Sequence, residues 1–229
     1  MAGQLLLHQE IMLLAIRDDN GTFPGGMFLY SVAGAMVSEL LMRQRIVASD
    51  DKTQIVTVID DSPIGDFVLD ELLHLIGESK KAKSLQHWVF MAASIPKLKH
   101  LIALQLCDLG ILKHDEKKML WLFTQQIYPE LDGSYEDAIR QNMSKVMFDE
   151  KAKPDGPTAV LIALASHAGL LQANFVKEEL RQHKDRIKQL ANGDILASGV
   201  TQATIQAVQT AIVIAATIPA MTAAITASH

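Results

Sequence analysis

Apolar residues recur at helical spacing along most of the chain, and this pattern predicts a mainly helical protein. The segment Gly26–Met42 is apolar on nearly every side, so we expect it to form a central, buried helix. Seven other segments are also predicted to form helices. They cover Leu5–Ile16, Asp66–Gly77, Leu85–Ala93, Lys97–Leu109, Ser134–Met147, Pro157–Leu171 and Phe175–Ala191.

Two other regions favour small β-hairpins over helices. In the first, Arg43–Ala48 would pair with the β-branched run Ile55–Ile59 across an acidic turn. In the second, Gly110–Lys113 and Met119–Phe123 are apolar runs separated by the polar segment His114–Lys118, which would form the turn. The predicted fold class is therefore a mainly α, single-domain helical bundle with one or two small β-hairpins.

The last part of the chain differs from the rest. From Ile195 to Ser228 it holds no charged residue, and Ala207–Ile218 is almost wholly apolar. We expect residues 195–229 to form a buried apolar helix or a tail whose end, after Pro219, is disordered or covered by a partner subunit. The alternative, a membrane span, is less favoured because threonines and Pro219 interrupt the run and no basic residue flanks it.

Composition and charge narrow the classes of function. Hydrophobic residues make up 49% of the chain and aromatic residues only 5%, which suits a core of packed helices. The net charge of −5 disfavours a nucleic-acid partner for the chain as a whole. Cys107 is the only cysteine, which predicts a reducing compartment and no intrachain disulfide. Since the first residues do not resemble a signal peptide, we expect a cytoplasmic protein.

No motif in the sequence predicts catalysis. The chain lacks a phosphate-binding P-loop, a dinucleotide fingerprint, a nucleophile elbow and a His-Glu-x-x-His zinc site. Its eight histidines are scattered without the spacing of metal ligands, so we predict no metal site and no cofactor. Of these histidines, His167 lies inside an apolar helical segment and is expected to be the most buried.

Several segments resemble the Golgi phosphoprotein 3 family. Pro63–Glu71 is similar to the family's Pro-Thr-Gly-Asp-x-Leu-Leu-Asp-Glu segment, with Ile64 in place of threonine. Leu5–Ala15, Ala33–Ile46 and Ala163–Leu171 follow the order and roughly the spacing of other family segments. Because the first predicted helix starts close to Met1, the chain resembles the short bacterial members.

The resemblance implies a non-enzymatic, peripheral membrane protein that binds acidic phospholipid headgroups, phosphatidylinositol 4-phosphate in the family's eukaryotic members. Aligned with their lipid site, Pro24 occupies the aromatic position, Ala33 and Pro96 the positions of two arginines, and Lys99 that of a third; Lys97 lies on the same predicted helix. Lysine does not grip phosphate in the bidentate manner of arginine, so we expect little preference for inositol lipids. The competing interpretation is that these lysines are ordinary solvated charges.

The apolar run that contains Leu120, Trp121 and Phe123 predicts self-association. Alternation along a short hairpin sends about half of such side chains to each face, so one face needs a second surface. The family resemblance also implies that this hairpin takes part in a homo-oligomer. The competing functional hypothesis is a helical scaffold that binds protein clients without lipid. Intramolecular ion pairs of Lys97 and Lys99 would favour the scaffold, whereas free lysines on one face would favour lipid binding.

Overall fold

The structure of the chain, a computed structural model, describes residues 5–17, 20–24, 28–49, 51–119 and 123–192, with backbone alone at 118, 119 and 123. As predicted, this part is mainly helical with small antiparallel strand pairs. Its elements, in chain order, are α1 (Leu7–Ala15), α2 (Phe28–Met42), β1 (Ile46–Ala48), β2 (Ile55–Val58), α3 (Phe67–Gly77), β3 (Lys83–Ser84), α4 (Leu85–Ala93), α5 (Leu98–Asp108), β4 (Asp115–Met119), β5 (Phe123–Ile127), α6 (Ser134–Phe148), α7 (Gly156–His167), α8 (Leu170–Asn174), α9 (Lys177–Gln182) and α10 (Lys184–Asn192).

Helix α2 forms the centre of the core, which confirms the prediction from its apolar pattern. Every residue from Ser31 to Leu41 is buried, and α1, α3, α4 and α7 pack around the helix. A helix without a polar face is stable in water only when its neighbours cover every side. The N-terminus of α1 is tied to this helix by Glu39, whose carboxylate accepts a 3.1 Å hydrogen bond from the Leu7 N–H and pairs with Arg43 at 2.6 Å.

The segment before α3 acts as a junction of three helices. The Asp66 carboxylate caps α3 by accepting the Leu69 N–H at 3.0 Å. It also accepts side-chain amide protons from Gln9 of α1 at 3.2 Å and from Gln105 of α5 at 3.0 Å. His8 Nε2 lies 3.4 Å from the same carboxylate, and both side chains are buried. Asp66 therefore joins α1, α3 and α5 as well as starting a helix.

The first predicted hairpin is confirmed and gains a third strand. Strands β1 and β2 pair antiparallel with Val47 opposite Thr57, and the sheet order is β1-β2-β3. The sequence pattern did not reveal β3, because its two residues are too few to show an alternation. Lys83 and Ser84 pair with Val56 and Ile55, so the strand forms only where β2 offers a partner.

The second hairpin has a different register from the one predicted. The polar residues assigned to a turn form β4, in which Asp115 pairs with Ile127 and Met119 with Phe123. The strands are joined through residues 120–122, which lie outside the described part. Of the predicted first strand, only Leu112 makes a strand-like contact, a single bridge to Glu130. Apolar alternation failed here because β4 lies on the surface, where a strand needs no apolar side.

Two predicted helices are each divided in the structure. Pro157–Leu171 was expected to be continuous, but α7 ends at His167 and Gly169 adopts a φ of +72° before α8 begins. Glycine takes this left-handed conformation without the strain of a side chain. Phe175–Ala191 is divided at His183 into α9 and α10. The predicted tail of residues 195–229 lies outside the described part of the chain.

The expectation that His167 is the most buried histidine is wrong. It lies exposed at the end of α7, with Nδ1 2.8 Å from the Ala163 carbonyl oxygen. His8 is instead fully buried beside Asp66. The apolar residues around His167 cover only part of its helix, and a single sequence does not show which side faces the core.

Glu10 is a partly buried acid whose charge opposes folding at high pH. Burial, and after it the charges of Glu39 and Asp155, raises its pKa from 4.5 to about 7. Between these two pH values the folded state holds a proton that the unfolded state has released, so stability falls as pH rises. We expect Glu10→Gln to raise the free energy of unfolding by about 1 to 2 kcal/mol near pH 8 and to change it little near pH 5.

Urea denaturation at the two pH values tests this expectation, with exposed Glu116→Gln as the control for loss of one negative charge. A Glu10→Gln variant that gains no more stability than the control near pH 8 would show that solvent reaches the carboxylate.

Candidate functional site

A polar pocket of about 480 Å³ lies where the start of α5 meets strand β5 and the segment 20–24. Three separate parts of the chain build it. A backbone hydrogen bond joins the segment 20–24 to the end of the hairpin, and His100 Nδ1 of α5 lies 2.9 Å from the Tyr128 hydroxyl. The Tyr128 N–H donates to the Gly21 carbonyl at 2.7 Å, which fixes the segment 20–24 against the end of the hairpin. The residues that line the pocket are Phe23, Lys97, Lys99, His100, Thr124, Gln125 and Gln126.

Aromatic rings support one side of this pocket. Phe23 packs with its ring centroid 5.5 Å from Tyr128 and 5.7 Å from His100, the latter edge to face. Lys99 Nζ lies 5.3 Å from the Phe23 ring centroid, within the range of a cation–π contact. The His114 ring stacks on the Tyr128 ring, with 5.4 Å between their centroids. The aromatic cluster therefore positions both Lys99 and the imidazole of His100 beside the pocket.

Lys97 and Lys99 give the pocket its positive charge. Lys97 is exposed and Lys99 half-buried, and neither forms an ion pair with any residue that the structure describes. Lys97 also adopts a left-handed backbone with a φ of 59° at the start of α5. That conformation costs a residue with a side chain about 1 kcal/mol or more, and such strain is common at binding sites.

A hydrogen-bonded chain connects His100 to the hairpin. The Tyr128 hydroxyl donates to Gln126 Oε1 at 3.2 Å and lies 2.9 Å from His100 Nδ1. Because the hydroxyl has one proton and gives it to Gln126, it accepts from an Nδ1–H of His100. Burial, followed by the charges of Lys99, His114 and Lys97, lowers the pKa of His100. The imidazole is therefore neutral at neutral pH, with its lone pair on Nε2.

The structure brings together only part of the site implied by the resemblance. Lys97 and Lys99 line the same pocket, whereas Pro24 lines a separate cleft of about 350 Å³ near the end of α1. Ala33 has no exposed surface and packs inside α2, so its side chain contributes to the core. Of the hairpin residues, Leu120 and Trp121 lie outside the described part and Phe123 is described by its backbone alone, so self-association stays a prediction.

Phe23 and the polar residues of β5 were not predicted to belong to the site. Phe23 occupies the aromatic side of the pocket that the resemblance assigned to its neighbour Pro24. The sequence signal that could have identified Phe23 is an aromatic residue next to Pro24, the position aligned with the family's aromatic residue. No sequence signal indicated the polar residues Thr124, Gln125 and Gln126, because their position depends on the register of the hairpin.

The described residues were also compared with the requirements of a metal site and of a membrane-spanning helix. No group of three or more histidine, cysteine, aspartate or glutamate side chains among them could hold a metal ion. Within the same residues, no single helix has both the length and the apolarity to cross a membrane. Only the helix pair Leu85–Ala93 and Leu98–Asp108, bent by 72°, meets that test by combined length and composition.

Comparison with known proteins identifies the family. The chain is similar to vacuolar protein sorting-associated protein 74 of Eremothecium gossypii, with 26% identity over 62% of this chain and 49% of that protein. It therefore spans about half the length of that relative. It is also similar to a VPS74-like protein of Dictyostelium discoideum, with 23% identity over 70% of this chain and 67% of the relative. The model of the Golgi phosphoprotein 3 (GPP34) family matches residues 7–208, and the chain belongs to this family.

Proposed function

We propose that this protein is a non-enzymatic, peripheral membrane protein that binds acidic phospholipid headgroups in the pocket of Phe23, Lys97 and Lys99. The observation that carries the proposal is the pair of lysines that share one pocket without any carboxylate partner in the described part of the chain. The chain as a whole is acidic, with 26 aspartate and glutamate residues against 21 lysine and arginine residues. Unpaired cations on such a protein mark a local surface for anions.

The pocket offers both charge and hydrogen-bond donors to a phosphate. Lysine ammonium groups attract the anion without a fixed geometry, and Thr124, Gln125 and Gln126, whose side chains can donate hydrogen bonds, also line the pocket. The Phe23 ring lines the pocket and packs against the Tyr128 ring, with 5.5 Å between the ring centroids. Such a site suits a headgroup at a membrane surface, and family membership agrees with it. A scaffold without lipid function would be favoured by ion-paired lysines, which the described residues do not show.

Vesicle binding tests the proposal. Each lysine near an anionic surface contributes about 1 kcal/mol, so reversing two charges with Lys97→Glu and Lys99→Glu should weaken binding by roughly 30-fold or more. Binding would be measured by co-sedimentation with phosphatidylcholine vesicles, with and without phosphatidylglycerol, at low and high salt. We expect binding only to the anionic vesicles, and weaker binding at high salt.

The matched control makes the same charge change on α10, with Lys184→Glu and Lys188→Glu, both exposed. This control should lose little binding. Equal losses in both double variants, or equal binding to neutral vesicles, would contradict the proposal. At matched vesicle charge we expect little preference for phosphatidylinositol 4-phosphate over phosphatidylglycerol, because lysine does not form the bidentate contact of arginine.

A further inference from the structure

We propose that His100 is a third cationic contact of this pocket, which takes up a proton on Nε2 when an anionic phospholipid headgroup binds. This inference rests on the proposed function, since it concerns the same pocket and the same class of ligand. It adds that binding is coupled to a proton and therefore strengthens as pH falls.

The hydrogen-bonded chain explains why His100 changes its role with protonation. Nδ1–H donates to the Tyr128 oxygen, and Tyr128 donates onward to Gln126, so the ring orientation is fixed from one side. Burial, followed by Cys107, raises the pKa of Tyr128, which keeps its hydroxyl protonated. In the neutral imidazole Nε2 bears a lone pair, which repels a phosphate oxygen. Protonation converts this same atom into a charged donor without any rotation of the ring.

The groups around His100 determine the direction of the coupling. Lys97 and Lys99 come from its own helix, His114 and Tyr128 from the chain before and after the hairpin, and the segment 20–24 contributes the Phe23 ring, which does not titrate. The two lysines disfavour a further positive charge while the pocket is empty. A phosphate anion between them reverses this effect, because it attracts all the cations that face it. The ligand and the proton therefore stabilise each other's binding.

The test compares vesicle binding near pH 8 with binding near pH 5.5, a range that spans histidine titration while phosphatidylglycerol keeps its charge. One added charge near the surface corresponds to about fivefold in affinity. We therefore expect the affinity of the wild type to rise by about fivefold more than that of His100→Gln. Glutamine retains an amide donor for Tyr128 but cannot become cationic. His167→Gln, at an exposed site on α7 outside the pocket, is the matched control and should keep the full rise.

NMR titration of the wild type provides a measurement that needs no variant. Anionic vesicles should raise the pKa of His100 more than that of the exposed His167, and neutral vesicles should leave it unchanged. The proposal is overturned if both histidines shift alike, which would reflect the surface potential alone, or if His100→Gln keeps the full pH dependence. It is also overturned if the dependence is lost in His114→Gln instead. Absence of binding at every pH would refute the proposed function, whereas binding without the coupling would refute only this inference.

Discussion

Asp66→Ala is expected to lower the free energy of unfolding by about 3 to 5 kcal/mol. The variant removes the cap of α3 and leaves the side-chain amides of Gln9 and Gln105 without their acceptor inside the protein. It also leaves His8 buried without the carboxylate that faces it. Each unsatisfied buried group costs about 1 to 3 kcal/mol, so the losses together approach the stability of a small domain.

Guanidinium denaturation measures this loss, with Asp61→Ala as the control in the same turn. Asp61 is exposed, and its replacement should cost less than about 0.5 kcal/mol. A loss for Asp66→Ala as small as that of the control would mean that water replaces the carboxylate at low cost.

The Asp66 carboxylate should also give the protein an acid-sensitive part of its stability. Burial raises the pKa of Asp66, but the nearby His8, the Leu69 N–H and the Gln105 amide together outweigh burial and lower it overall. A carboxyl with a lowered folded-state pKa stabilises the protein above its unfolded-state pKa of about 4, and this stabilisation disappears as pH falls through the folded-state pKa. The stability difference between wild type and Asp66→Asn should therefore shrink below about pH 4.

Gly21→Ala is expected to lower the free energy of unfolding by about 3 kcal/mol and to disturb the pocket of Phe23, Lys97 and Lys99 at the same time. Gly21 has a φ of +62°, and a Cβ built there would lie 2.6 Å from the Pro129 nitrogen and 2.7 Å from the Tyr128 carbonyl carbon. Both neighbours are backbone atoms, which cannot turn away as a side chain can. The segment 20–24 would have to move from the hairpin and take Phe23 with it.

Gly110→Ala separates the cost of the left-handed backbone conformation from the cost of the steric clash. Gly110 has a similar φ of +74°, but a Cβ there would meet nothing within 4 Å. It should therefore show only the conformational cost, about 1 kcal/mol, and leave vesicle binding unchanged. Equal destabilisation of the two variants would indicate that the close approach of Gly21 to Tyr128 is relieved by a small shift, and Phe23 would then stay in place.

Part of the candidate site could be predicted from the sequence, and part of it could not. The resemblance assigned Lys99 to the family's lipid site, and the helical pattern placed Lys97 on the same predicted helix, so the sequence brought these two lysines together. Phe23 and the residues of β5 were not predictable, because they reach the pocket through backbone contacts across more than a hundred positions of the chain, such as Tyr128 N–H to Gly21. A single sequence contains no local signal for a contact between two irregular segments.

Hydrophobic periodicity by itself determined the helices that pack against the core, because burial imposes a repeat of about 3.6 residues on every such helix. It placed α2 at the centre of the core and matched both ends of α4. Tertiary structure alone decided where the surface strands form and which polar side chains are buried. The polar strand β4 has no repeat imposed by a core, β3 exists only because β2 offers it a partner, and the burial of His8 follows from the meeting of three helices at one carboxylate.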